Sequence, residues 1–190
     1  MNLEYALKLL AVRFGDKLEK PTTFRGEYTI RVKNAEDLPE VALYLKKDIG
    51  CAYLLDITSI DHYGSEPRFE IVYEFYHLDA GFHLRIKTSV PEEKAELPSI
   101  TSIYATADWH EREIYDMMGI RFRGHPDLRR ILMWEGYPYY PLRKDFPLEG
   151  KSSDEGEIAF SRPAPMAGGP FVTRPESHSH DREPRANPAF

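Results

Sequence analysis

The densest run of ionisable side chains is His110-Glu111-Arg112-Glu113-Ile114-Tyr115-Asp116. On a helix, Arg112 and Asp116 fall one turn apart, as do Glu111 and Tyr115. Carboxylates on one helix face with a histidine nearby are raw material for general acid–base catalysis, and Glu113, Asp116 and His125 would be the trio. The competing reading is a helix whose charges pair with a neighbouring arm or subunit. That reading is the stronger one, because no nucleophile, oxyanion hole or phosphate cradle accompanies the cluster.

Other chemistries find less material. His110-Glu111 lacks the second histidine of His-Glu-x-x-His. The run His178-Ser179-His180-Asp181 is a two-histidine tail motif and weak evidence for a transition metal. Neither Gly-x-Gly-x-x-Gly nor Gly-x-x-x-x-Gly-Lys-Ser/Thr occurs, so NADH and flavin have no evident home, and Gly168-Gly169-Pro170 reads as a turn. Cys51 is the single cysteine. One thiol excludes an iron–sulfur cluster, a structural Cys-type zinc site and an intramolecular disulfide. It fits a reducing compartment, and its place at the head of an apolar run gives it a packing role. The net charge of −6 argues against a nucleic-acid partner, despite the short basic pairs Arg121/Arg123 and Arg129/Arg130. No stretch approaches the ~20 apolar residues of a membrane span. The N-terminus lacks the basic and apolar regions of a secretory signal. Any membrane attachment would therefore be indirect.

The elements that must position these residues follow from periodicity. Leu3, Ala6, Leu7, Leu10, Ala11 and Phe14 form one helical face that ends at Gly15. Tyr28, Ile30 and Val32 alternate with polar residues as a half-buried strand. Leu38, Val41, Ala42, Leu45 and Ile49 make a second helical stripe, capped by Asn34 or Asp37 and stopped by Gly50. Residues 52–60, 69–76 and 82–89 read as a three-stranded antiparallel meander with turns at 61–67 and 79–81. The order is αβαβββ, an α+β domain with a mixed or antiparallel sheet and packed helices. Pro91 and Pro98 bracket a short helical or irregular piece. Asp108 then predicts the cap of a helix over 109–118, with Glu111 reaching back as a capping box and Gly119 as the stop.

After Gly119 the periodicity disappears. Ten of the fifteen prolines lie there. Aromatic and aliphatic residues nonetheless persist to Leu148. Gly124-His125-Pro126-Asp127-Leu128-Arg129-Arg130-Ile131-Leu132 and Pro141-Leu142-Arg143-Lys144-Asp145-Phe146-Pro147-Leu148 each interleave basic residues, an Asp, prolines and apolar anchors. Arginine forks can hold carboxylates while Leu, Ile and Phe fill pockets, and prolines reduce the entropy lost on docking. The chain is thus expected to comprise an α+β domain at 1–118, an extended proline-rich partner-binding arm at 119–150 and a weakly ordered tail at 151–190. Arg129 and Arg143 are expected to serve docking rather than the domain's own stability. The alternative is an arm folded back on its own domain.

The residues from Glu111 to Ile120, then from His125 to Leu132, then from Pro141 to Pro147, resemble the thirty-kilodalton subunit family of respiratory NADH–quinone oxidoreductase, or complex I. The Glu-Arg-Glu-x-x-Asp run followed by His-Pro-Asp-Leu-Arg-Arg-Ile-Leu is highly specific, and the upstream αβαβββ order agrees with it. The resemblance implies a subunit of the peripheral arm on the cytoplasmic side of the membrane, with no flavin and no cluster of its own. It implies that the C-terminal segment wraps the 49 kDa-type subunit that helps build the quinone cavity, with iron–sulfur subunits as further neighbours. NADH, FMN, the Fe-S clusters, quinone and proton pumping then belong to the assembled complex. Partner-interface roles are implied for Glu111, Arg112, Glu113, Asp116, His125 and Asp127, and for Arg129, Arg130, Arg143, Lys144, Asp145 and Phe146. The connection 133–140 departs from the family by its wealth of Tyr, and the tail after Gly150 aligns with nothing. The equivalent subunit of an energy-converting hydrogenase or of a dehydrogenase with another donor is a second reading. A free-standing acid–base enzyme is a third.

Overall fold

The computed structural model describes residues 2–148. The chain divides into two units, Met1–Asp145 and Phe146–Phe190. The architecture below is that of the first. The tail expected at 151–190, with its two histidines, lies outside the described residues.

Helix α1, Leu3–Phe14, starts where the Asn2 side chain accepts a hydrogen bond from the Tyr5 N–H, and it buries Ala6, Leu10 and Phe14. A short strand β1, Thr22–Phe24, turns into β2, Glu27–Arg31. Helix α2, Leu38–Tyr44, continues through a wider turn, Leu45–Ile49, and stops at Gly50 in the left-handed conformation. Asn34, not Asp37, supplies the side-chain cap before it, accepting from the Glu36 N–H.

Strands β3 (Tyr53–Asp61), β4 (Phe69–His77) and β5 (Phe82–Val90) form the expected antiparallel meander. Strand β2 adds to β5 in parallel, giving the order β1-β2-β5-β4-β3. Tyr73, Phe75, Leu84 and Ile86 meet Leu10, Leu38, Leu45 and Ile114 in one core. Each such side chain contributes about 1.5–3 kcal/mol through removal from water. The other sheet face is laced with ion pairs, where Arg31 and Lys87 share the buried Glu70 and Arg85 pairs with Glu74 and Glu27.

Beyond β5 the structure departs from expectation. Residues expected to be helical or irregular include strand β6, Glu96–Pro98. It pairs in parallel with β7, Arg121–Arg123, and helix α3, Ala107–Met118, crosses between them. Helix α3 begins two residues early, and Thr106 in front of it makes no side-chain cap. The expected capping box does not form, because the Glu111 carboxylate turns into the core instead. After β7 the chain has no further strand or helix among the described residues, as its prolines dictate. It does not leave the domain: residues 124–145 return across α3 and the β3–β4 turn as a strap, bonded to both.

Candidate functional site

The site is the seam between α3 and this strap. Helical spacing puts Arg112 and Asp116 on one face, and both turn to the strap backbone. The Asp116 Oδ2 accepts three consecutive N–H groups, from Ile131 (3.0 Å), Leu132 (2.7 Å) and Met133 (2.8 Å). Its Oδ1 accepts from Arg130 Nη1 at 2.6 Å. Burial favours the neutral acid, but the bonds from Met133, Leu132, Arg130 and Ile131 outweigh it and hold this carboxyl below its ordinary pKa. Arg112 completes the clamp from the other side, donating to the carbonyls of Arg129 and Arg130, with its guanidinium over the Trp109 ring at 5.2 Å.

The Tyr-rich connection has a definite path. Arg130 donates to the Tyr139 carbonyl at 3.2 Å and lies over the rings of Tyr137 and Tyr140. Tyr137 is buried and packs edge-on to Trp134 and Tyr139. Tyr137 and Tyr140 form a cradle for Arg130, and Tyr140 also receives Arg143.

At its end the strap is tied twice more. Arg143 Nε donates to the Met118 carbonyl at 2.6 Å, and its guanidinium covers Phe69 and Tyr140. This carbonyl belongs to the last turn of α3, which has no helical partner for it. Arg143 is therefore held within the domain and is not free for docking. Gly119 makes room for the arrangement: its φ is +75°, and a Cβ there would stand 2.6 Å from both Tyr140 and Arg143. Gly119→Ala is expected to lower the unfolding free energy by about 1–3 kcal/mol from backbone strain alone, read by urea titration. An unchanged midpoint would mean that Gly119 does not hold the left-handed conformation that ends α3.

The last tie is an ion network. Arg68 grips Asp61 with two bonds of 2.8 Å, and their side chains are 3% and 0% exposed. Arg68 also reaches Asp145 and Glu92, while the Lys144 N–H donates to Asp61 Oδ2 at 2.8 Å. The Arg68 bonds, with the Lys144 N–H, hold Asp61 below the usual carboxylate range, and Arg68 does the same for Asp145.

The remaining predicted residues divide by side. The ring of His125 is buried; its Nδ1 accepts from the Asp127 N–H, so Nε2 carries the proton and points to the carbonyl and carboxylate of Asp108. Glu113, Asp127, Arg129 and Lys144 are exposed. The Arg129 side chain is 70% exposed and pairs with Asp127 at 2.9 Å. Phe146 opens the second unit. The acid–base trio is committed elsewhere, since Asp116 accepts four bonds and both His125 nitrogens are engaged.

Sequence reasoning missed Arg68 and Asp61, whose separate positions carry no local pattern. It also missed Trp109 (61% exposed), which lies on the solvent side of the seam as do the arm's apolar residues Leu132 (61%) and Leu142 (56%). Among the described residues no group of three or more His, Cys, Asp or Glu is placed to hold a metal. No helix there is long and apolar enough to cross a membrane.

The family model described as "Respiratory-chain NADH dehydrogenase, 30 Kd subunit" matches residues 31–152. An NADH-quinone oxidoreductase subunit of Rhizobium etli (strain CIAT 652) is 41% identical over 185 residues, covering 95% of this chain and 94% of that protein. Among solved structures, the trypsin-resistant fragment (1-134) of Nqo5 superposes with a TM-score of 0.58 at 31% identity, over 67% of this chain and all of that one. A chain of the membrane-bound sulfane sulfur reductase, an archaeal respiratory membrane complex, superposes with a TM-score of 0.66 at 26% identity, over 76% of this chain and 85% of that one.

Proposed function

The chain belongs to the respiratory-chain NADH dehydrogenase 30 Kd subunit family, and from that premise we propose that it is a cofactor-free structural subunit of a proton-pumping NADH–quinone oxidoreductase, docking through the outer side of its strap. It stands in the peripheral arm on the cytoplasmic side, and its neighbours are the 49 kDa-type quinone-cavity subunit and iron–sulfur subunits. Electron transfer through FMN and the Fe-S clusters belongs to those neighbours, and this chain contributes no catalytic group.

One observation carries the reading. Arg112, Asp116, Arg130 and Arg143 are consumed in holding the strap, and what the strap and α3 leave facing outward includes Trp109, Leu132, Leu142 and Arg129. A large aromatic, two aliphatic anchors and an arginine on a rigid base have the composition of a binding hot spot. The domain folds the strap in advance, so little ordering entropy remains to be lost on docking.

The experiment is affinity purification of the full chain from native membranes. The paired variant Arg129→Glu, Leu132→Asp is expected to lose most co-purifying subunits while its melting temperature stays within about 2 °C of the parent, because exposed substitutions rarely cost more than about 0.5 kcal/mol. Full retention of partners would sink the docking reading. A second reading, the equivalent subunit of a complex with another electron donor, is favoured by the likeness to the sulfane sulfur reductase chain. NADH-dependent quinone reduction by the purified assembly supports the first reading, and its absence with another donor active supports the second.

A further inference from the structure

Glu111 is completely buried. Among the described residues no lysine, arginine or histidine is paired with it. Its carboxylate accepts, among the described residues, from Ser99 Oγ (2.6 Å) and the Ile100 N–H (2.9 Å). Two titratable groups face it among the described residues. Tyr73 approaches from β4 with a fully buried hydroxyl that has no hydrogen-bond partner, and Glu111 opposes its ionisation after burial itself. Asp108, on the preceding turn of α3, adds negative charge and is itself turned to His125. A buried carboxylate with two neutral donors, no cation and one acidic neighbour, Asp108, is poorly compensated when charged.

The backbone that Glu111 holds is the root of the strap. The Ser99 N–H donates to the Arg123 carbonyl at 2.8 Å. Pro98 stands opposite Arg123 in the β6–β7 pair. The strap departs from β7 one residue later, at Gly124.

We propose that Glu111 is a pH-responsive latch on the strap's root: while it is buried and neutral the Ser99–Ile100 connector stays closed on β7, and once it is charged the cost of keeping the anion from water, which exceeds what its two accepted bonds return, drives the connector open. That this root governs docking rests on the reading given above; the latch itself does not.

Burial drives the Glu111 carboxyl up to about 7, against the bonds from Ser99 and Ile100 and with help from Asp108. The folded value lies above the ordinary 4.5. The stability it contributes is therefore fully present below 4.5 and lost as the pH rises through about 7. When the connector opens, the carboxyl meets water and regains its ordinary value.

The test is hydrogen exchange of the Ser99 and Ile100 amides in the full chain. Corrected for intrinsic rates, their opening constant is expected to rise about tenfold per pH unit between pH 4.5 and 7 and to level off above. Glu111→Gln keeps an acceptor for Ile100 without a charge, and its opening constant is expected to be flat. A flat profile in the parent chain, or the same slope in Glu111→Gln, overturns the latch. Carbon NMR of the Glu111 carboxyl supplies a second measure. Its midpoint should lie near neutrality and move upward in Ser99→Ala, which removes a donor to the anion, and a midpoint in the ordinary carboxylate range overturns the proposal. The docking reading fails separately, when Arg129→Glu, Leu132→Asp retains its partners while the exchange slope persists.

Discussion

Asp116→Ala is expected to lower the unfolding free energy by about 3–5 kcal/mol, the loss typical of removing one partner from a buried ion pair. The substitution strips an acceptor from three successive backbone N–H groups and leaves Arg130, 12% exposed at its side chain, facing the Asp116 carbonyl and an empty pocket. Each orphaned donor adds to the penalty, since the strap must open to water or keep the group unpaired. Urea unfolding of the parent and the variant reads the difference. Arg130→Ala alone should be milder, because the three N–H groups keep their acceptor. The double variant should fall short of the sum of the singles, because both act on one clamp. A loss below about 1 kcal/mol would rank the clamp with exposed ion pairs and would show that the strap is not fastened there.

Arg68→Met should be of similar size, again about 3–5 kcal/mol, for a different reason. Here the side chain left behind is an acid. Asp61, fully buried at its side chain, would keep only the Lys144 N–H, and Asp145 would lose its tie to the domain. The pH dependence gives the sharper signature. Asp61 and Asp145 have depressed pKa values in the folded chain. Their contribution is therefore present above the ordinary carboxylate value and is lost as the pH falls through the depressed one. Removing Arg68 removes the largest cause of the depression, so the acid unfolding midpoint should move to higher pH. Adding Asp61→Leu should recover much of the loss, since a buried pair replaced by apolar groups is often neutral. An acid midpoint that stays in place would show that Arg68 does not set the charge of Asp61.

Much of this was legible in the residues. The stripe from Leu3 to Phe14 and the alternation through β4 and β5 are long enough for their periods to be read. The three-residue strands β1, β6 and β7 are not, and β6 and β7 pair only because α3 carries the chain between them. The capping box at Asp108 and Glu111 satisfied a local pattern. Tertiary packing overrode it, drawing Glu111 inward to Ser99 and Ile100. The strap shows the limit most clearly. Interleaved arginines, aspartates and apolar anchors announce that residues 124–145 must dock, but nothing in them says on which surface. The surface is settled by Asp116, Met118 and Asp61, which stand 14 to 83 positions from the strap residues they hold. Arg129 stays exposed and paired with Asp127, whereas Arg143 was drawn into the domain.

The clamp also gives the chain an order of completion. Translation delivers α3 before the strap, so there is an interval in which Asp116 and Arg112 have been made and residues 129–133 have not. Until the last of these emerges, the acid lacks its three N–H donors and the arginine lacks its two carbonyls. Domains generally fold as units during synthesis, at about 5–20 residues per second. The unit here is finished only at Asp145, where Arg68 receives its last partner. A polypeptide halted at residue 118, although it holds every long strand and helix of the described residues, is an unfinished protein with its charges exposed to the wrong company.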